Sequence, residues 1–226
     1  AHSIAAFTYG TKNFEKVDKI VGPGNAFVAF AKKEVFGDVG IDMVAGPSEV
    51  SIVGDKYSDP KLIAADLIAQ AEHDVNAQSI LITDNKKLIS SVNKSLKQQL
   101  VNLPKKKIAI KSLKKFGLAI YANKRGKISE IINTIAPEHL ELYTSFNNRL
   151  INDVKNAGSI FIGKFSPEAI GDYLAGPNHV LPTSGSARFS SGLSVNDFLK
   201  RHSLIKITKT GIERLGASVI NLAKYE

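Results

Sequence analysis

The residues of this sequence best suited to chemistry fall in a few short runs. In LIAQAEHD, Gln70 and His73 stand three apart near the end of an apolar-faced helical segment and so project from one side. An amide oxygen and an imidazole at that spacing can share a metal; the plainer reading is a surface Gln beside a helix-terminal His. In APEHLEL, Glu138 directly precedes His139, after a proline suited to the first turn of a helix. A carboxylate and an imidazole offer two proton-transfer groups of different unperturbed pKa. An ordinary acidic residue in a first helical turn, next to an incidental His, fits the same letters. GDYLAGPNHVLPT carries Asp172, Asn178 and His179 in a stretch punctuated by Gly171, Gly176, Pro177 and Pro182. Such a loop is suited to placing side chains rather than to filling a core.

Two glycine-containing turns add to these. IVGPGNAF, residues 20–27, reads as a strand end, a Gly-Pro-Gly-Asn turn and a helix. Glycines there let a ligand approach the backbone, and the helix start offers N–H groups to an anion, although this is not the G-x-G-x-x-G dinucleotide fingerprint. AGPSEV places Ser48 and Glu49 just before a strand, where the hydroxyl can also bond nearby backbone. His202 sits in a Lys-Arg-His context and reads as a solvated residue.

The elements that must position these groups alternate. Helical periodicity runs through residues 25–35, 60–72, 86–100, 128–135 and 147–156, and β-rich runs occupy 49–53, 79–83, 118–122 and 159–163. Alternation of this kind predicts an α/β fold with a mostly parallel sheet, since parallel neighbours need a connection long enough to hold a helix. The Ser- and Gly-rich stretch 181–193 is the best internal boundary, and residues 194–226 read as a helical tail.

Composition bounds the function. The net charge of +9 is spread along helices; its densest run, Lys105–Lys107 with Lys111, Lys114 and Lys115, contains no Arg and reads as a solvated face rather than a nucleic-acid patch. There is no cysteine, so a metal must be held by His, carboxylate, amide or water. No apolar run approaches the roughly 20 residues that span a bilayer, and the start lacks a signal peptide, which predicts a soluble, cytoplasmic protein without membrane contact. The first residue is Ala1 and the last, Glu226, falls within a helical pattern, so a piece of a longer protein is expected.

Taken in order, IVGPGNAF, IDMVAGPSEV, LIAQAEHD, APEHLEL, AGSIFIG and GDYLAGPNHVLPT resemble the histidinol dehydrogenase family over essentially the whole chain. The resemblance implies two interleaved, incomplete Rossmann-like domains with a helical C-terminal tail, in a family longer at both ends. Residues 1–46 would belong to the nucleotide-binding domain, 47–193 to the catalytic zinc and substrate domain, and 194–226 to the start of a dimerisation segment. It further implies zinc held by Gln70, His73 and Asp172, with a further His beyond the end of the sequence. Ser48, Gln70, His73, His139, Asp172 and Glu226 match positions that contact histidinol. Asn25 matches an NAD-contacting position, and His2 stands where a second such position usually holds Gln. The implied reaction is the four-electron oxidation of histidinol to histidine by two NAD, the last step of histidine biosynthesis, in a homodimer. His139 would act as general base and Glu138 would activate water, and the piece alone would be inactive. The residues by themselves leave open a zinc hydrolase, or a basic module binding RNA or phosphate.

Overall fold

The structure, a computed structural model, describes residues 1–225. Its elements follow from local chemistry. Helix α3 (Pro60–Ala71) begins where the Asp59 side chain accepts from the Lys61 N–H at 2.8 Å and Pro60 occupies the first turn, whose N–H would have no helical partner. Its buried face carries Ile63, Ala64, Leu67, Ile68, Gln70 and Ala71. Strands β3 (Glu49–Gly54) and β4 (Gln78–Thr83) are buried along nearly their whole length, as continuous apolar runs in a parallel sheet should be.

These strands form the centre of a five-stranded, all-parallel sheet of order β5-β4-β3-β6-β7, with β5 at Gly117–Tyr121, β6 at His139–Tyr143 and β7 at Ser159–Ile162. The crossovers are α3, then α4 (Lys86–Gln99) with α5 (Lys106–Phe116), then α6 (Arg125–Ile135) and α7 (Asn147–Asp153). Both faces are covered. On one, Val50, Ile52 and Leu81 pack with Ile63, Leu67, Leu88 and Val92. On the other, Val53, Ile80, Ile82, Leu140 and Leu142 pack with Ile128, Ile132 and Leu150. Each such side chain stabilises the fold by about 1.5–3 kcal/mol on burial. A second sheet pairs β1 (Lys19–Ile20) with β2 (Gly40–Ile41), and α1 (His2–Tyr9) and α2 (Ala26–Glu34) accompany it around a small core of Ile4, Ile20, Val35 and Val39. This is the mostly parallel α/β architecture expected from the alternation, and it is Rossmann-like, as the resemblance implies.

Four expectations need correction. APEHLEL is not a helix start. Ala136, at φ 50°, ends α6, and the next residues alternate as β6: Leu140 and Leu142 enter the α6 face while Tyr143 enters the α3 face. His73 lies beyond α3, in a turn whose N–H donates to the Gln70 carbonyl at 3.2 Å. Asp172 stands on a short helix, α8 (Glu168–Tyr173), not in the loop that follows it. Among the described residues of the tail, helix is confined to α9 (Lys209–Ala223) and a short turn at Val195–Phe198. The lysine run, not foreseen as helical, forms α5 with its lysines exposed and Ala109 and Ser112 buried.

Residues 1–194 form one compact unit and the chain from Val195 onward a second. Within the second, the Thr208 hydroxyl accepts from the Gly211 N–H at the start of α9. Among the described residues no helix is long and apolar enough to cross a membrane.

Candidate active site

Parallel register brings the start of β6 beside the start of β3, with His139 paired to Val50 on one side and to Ser159 of β7 on the other. The chemistry-bearing residues that precede or open these strands therefore meet at the amino edge of the sheet. A cavity of about 370 Å³ there is lined by Ser48, Gln70, His73, Glu138, His139 and Asp172 together. Gly158 makes the approach possible. A Cβ at that position would lie 2.6 Å from the Glu138 carbonyl oxygen, so only glycine lets the start of β7 close on β6.

His139 is 4% exposed, and its Nδ1 lies 3.1 Å from the Glu49 carbonyl oxygen. The carboxyl oxygens of Glu168 and Glu138 are 3.6 and 3.8 Å from the same nitrogen, too far for hydrogen bonds. Burial pushes the imidazole below its usual pKa, outweighing the Glu49 carbonyl and the charge of Asp172, and so keeps it neutral. Glu138 accepts from the Glu49 N–H at 2.9 Å, yet burial, reinforced by the charges of Glu49 and Asp172, pushes it up to about 8.

Sequence reasoning missed Glu168, the first residue of α8. It is 6% exposed, its N–H donates to Glu141 Oε1 at 2.8 Å, and burial together with Asp172 and Glu138 pushes its carboxyl up to about 8. It also meets the fully buried Gln70. With the amide nitrogen turned toward Glu168, Gln70 donates at 2.8 and 3.2 Å to the two carboxyl oxygens, and its own oxygen is turned to the other side; the opposite orientation would set oxygen against oxygen. On β6, Glu141 is pushed up to about 9 by burial and by Asp66, and Asp66 accepts from the Tyr143 hydroxyl at 2.6 Å.

Among the described residues, Asn25 and His2 do not line the cavity. Asn25 follows Gly22, Pro23 and Gly24, which do line it, but its own side chain accepts from the Val28 N–H at 3.2 Å as the cap of α2. His2 is an exposed residue at the start of α1, and Glu226 lies outside the described residues. His179, singled out from its loop, lines the cavity as well.

The donor set suits a cation. Glu138, Glu168 and Asp172 crowd one cavity that no lysine or arginine lines, among the described residues, and the Gln70 oxygen is turned away from the carboxyl group that holds its nitrogen. Among the described residues no three His, Asp or Glu are gathered closely enough to hold a metal by themselves. His73, Asp172 and the Gln70 amide line the same cavity.

Fold and site together define a Rossmann-like α/β protein with imidazole and carboxyl groups gathered in one cavity. The profile of the histidinol dehydrogenase family matches residues 1–226. The chain belongs to the histidinol dehydrogenase family. It is 57% identical over 225 residues to the histidinol dehydrogenase of Pelagibacter ubique, covering 99% of this chain and 53% of that one. Against that of Clostridium acetobutylicum it is 51% identical, covering 100% and 52%. The crystal structure of histidinol dehydrogenase from Elizabethkingia anophelis superposes with a TM-score of 0.93 at 40% identity, over 99% of this chain and 52% of that one. The chain thus spans about half the length of the curated relatives it matches.

Proposed function

We propose that this chain forms the zinc- and substrate-binding part of a histidinol dehydrogenase that oxidises histidinol to histidine with two NAD, the last step of histidine biosynthesis. The observation that carries the reading is the meeting of Ser48, Gln70, His73, Glu138, His139 and Asp172 around one cavity, in a chain of this family. Gln70, His73 and Asp172 hold the zinc, together with a further residue outside this sequence. Zinc supplies a Lewis-acidic grip that orients the imidazole and amine of histidinol, and NAD supplies the oxidising power.

The chain's own groups move the protons. In the oxidation of the alcohol to the aldehyde, neutral His139 takes the hydroxyl proton. In the second oxidation, Glu138, in the carboxylate form it holds above its raised value of about 8, takes a proton from the water that adds to the aldehyde. His139, having released its first proton, takes the remaining hydroxyl proton of the resulting gem-diolate as it is oxidised, so that the product is the carboxylate. Ser48 and Asp172 bind the substrate, as does Glu226. The Gly22–Gly24 turn lining the cavity supports a nucleotide site that includes Asn25 and His2.

The same reading assigns residues 1–46 to the nucleotide domain, 47–193 to the catalytic domain and 194–226 to a dimerisation tail in a cytoplasmic homodimer. A separate sheet within residues 19–41 supports the first division, and the apolar stripe Ile212, Leu215, Val219 and Leu222 of α9 supports the last. The test is made on the full-length protein: NADH formation from histidinol, measured with metal analysis. Two NADH per histidine and one zinc per site are expected; histidinol consumed without NADH would overturn the reading.

A further inference from the structure

The turn at Gly22 is gripped by two buried charges that the proposed chemistry does not use. The Gly22 N–H donates to Asp42 Oδ2 at 2.7 Å, and the Gly22 carbonyl accepts from Lys32 Nζ at 3.0 Å. Lys32 Nζ also donates to Asp42 Oδ1, which accepts from the Met43 N–H at 2.6 Å. The side chains of Lys32 and Asp42 are 3% and 1% exposed, so this ion pair is as deep as the core.

Such a pair is a poor device for stability. Its desolvation offsets most of its attraction, and well-packed apolar residues of similar volume commonly do as well. What the pair does supply is one acceptor and one donor at fixed spacing, matched to the N–H and C=O of a single peptide residue that neither helix nor sheet satisfies. Gly22 itself stands at φ 121° with open space where a side chain would be, beside the cavity that Gly24 also lines. An exposed turn backbone that leads into α2, whose first N–H groups have no intrahelical partner, can receive an anionic ligand only if its shape is held.

We propose that Lys32 and Asp42 are positioning residues that clasp Gly22 and hold the Gly22–Asn25 turn in the shape that receives the dinucleotide. The inference rests on the cofactor reading above. Substituting one partner alone would strand a buried charge and unfold the region, so the informative variants are pairs in the full-length protein. Lys32→Met with Asp42→Leu keeps an apolar, charge-free core but removes the clasp. Lys32→Gln with Asp42→Asn removes the charges and keeps a donor and an acceptor.

Three readouts decide: melting temperature with zinc content, hydrogen exchange across residues 21–25, and calorimetric titration with NAD. The apolar pair is expected to retain its melting temperature and zinc, to exchange its turn amides about tenfold faster or more, and to raise the Kd for NAD by about tenfold or more, the loss of one charge-assisted hydrogen bond. The amide pair is expected to restore both. Unchanged exchange and Kd in the apolar pair would overturn the clasp, as would an equal loss in the two pairs. A parent protein that takes up no NAD would instead overturn the cofactor reading.

Discussion

The imidazole of His139 directs Nδ1 at the backbone carbonyl oxygen of Glu49, 3.1 Å away, across the ladder joining β6 to β3. A carbonyl only accepts, so Nδ1 carries the hydrogen and Nε2 keeps the basic lone pair. The tautomer is therefore set by sheet pairing, and burial keeps the ring neutral and ready to take a proton.

The two adjacent groups should consequently fail in different ways. In the full-length protein, His139→Asn should slow oxidation of histidinol by about a hundredfold to ten-thousandfold, the usual worth of a general base. Glu138→Gln should act chiefly on the aldehyde supplied from outside. Half-reaction rates measured separately check this, and equal losses in both would contradict distinct roles.

His73→Ala should remove zinc and activity together, since loss of a direct ligand exceeds the roughly 10–100-fold cost of losing a supporting one. Metal analysis of the purified variant is the check. Full occupancy would exclude His73 as a ligand.

Glu168→Ala frees the Gln70 amide to rotate, and zinc affinity should fall by about 10–100-fold. Glu168→Gln still offers an oxygen to the Gln70 nitrogen and should recover most of it. Competition against a chelator gives both affinities; an alanine variant that binds as tightly as the parent would show that the contact orients nothing.

Metal-free protein should be most stable in mild acid. Glu138 and Glu168 are held near 8 and Glu141 near 9, against 4.5 for the free side chain. Between these values the folded chain keeps protons that the unfolded chain has released, so stability falls as pH rises from about 5 to about 9. His139 acts in the opposite sense below its ordinary value of 6.5, because the folded state resists its protonation. Melting temperatures recorded with a chelator across this range test the sign, and a melting temperature that climbs from pH 6 to pH 9 would contradict it.

Much of this was legible before any coordinates. Helix α3 announced itself through its apolar spacing from Pro60 onward, and β3 and β4 as short β-rich runs. Ser48, Gln70, His73, Glu138, His139 and Asp172, each picked out from its own short run, line one cavity. Strand β6 was hidden because Pro137 and Glu138 carry the letters of a helix start, whereas the left-handed Ala136 and the pairing with β3, both non-local in effect, decide the outcome. Glu168 was hidden for a related reason. A glutamate after Pro167 is ordinary at a helix start, and only the crossing of α8 over β6 turns it inward against Gln70.

The position of the cavity at the amino edge of the sheet settles which helix ends it meets. Crossover helices run against parallel strands, so α3 arrives there by its carboxyl-terminal end, where Gln70 and His73 lie, while the Gly22–Gly24 part of the wall leads into the amino-terminal end of α2. Aligned peptide dipoles give such ends opposite partial charges, each equivalent to about half an elementary charge. Chain direction alone thus favours positive charge near the end of α3 and negative charge near the start of α2 before any side chain contributes. Exchanging the two would require reversing a helix, not replacing a residue.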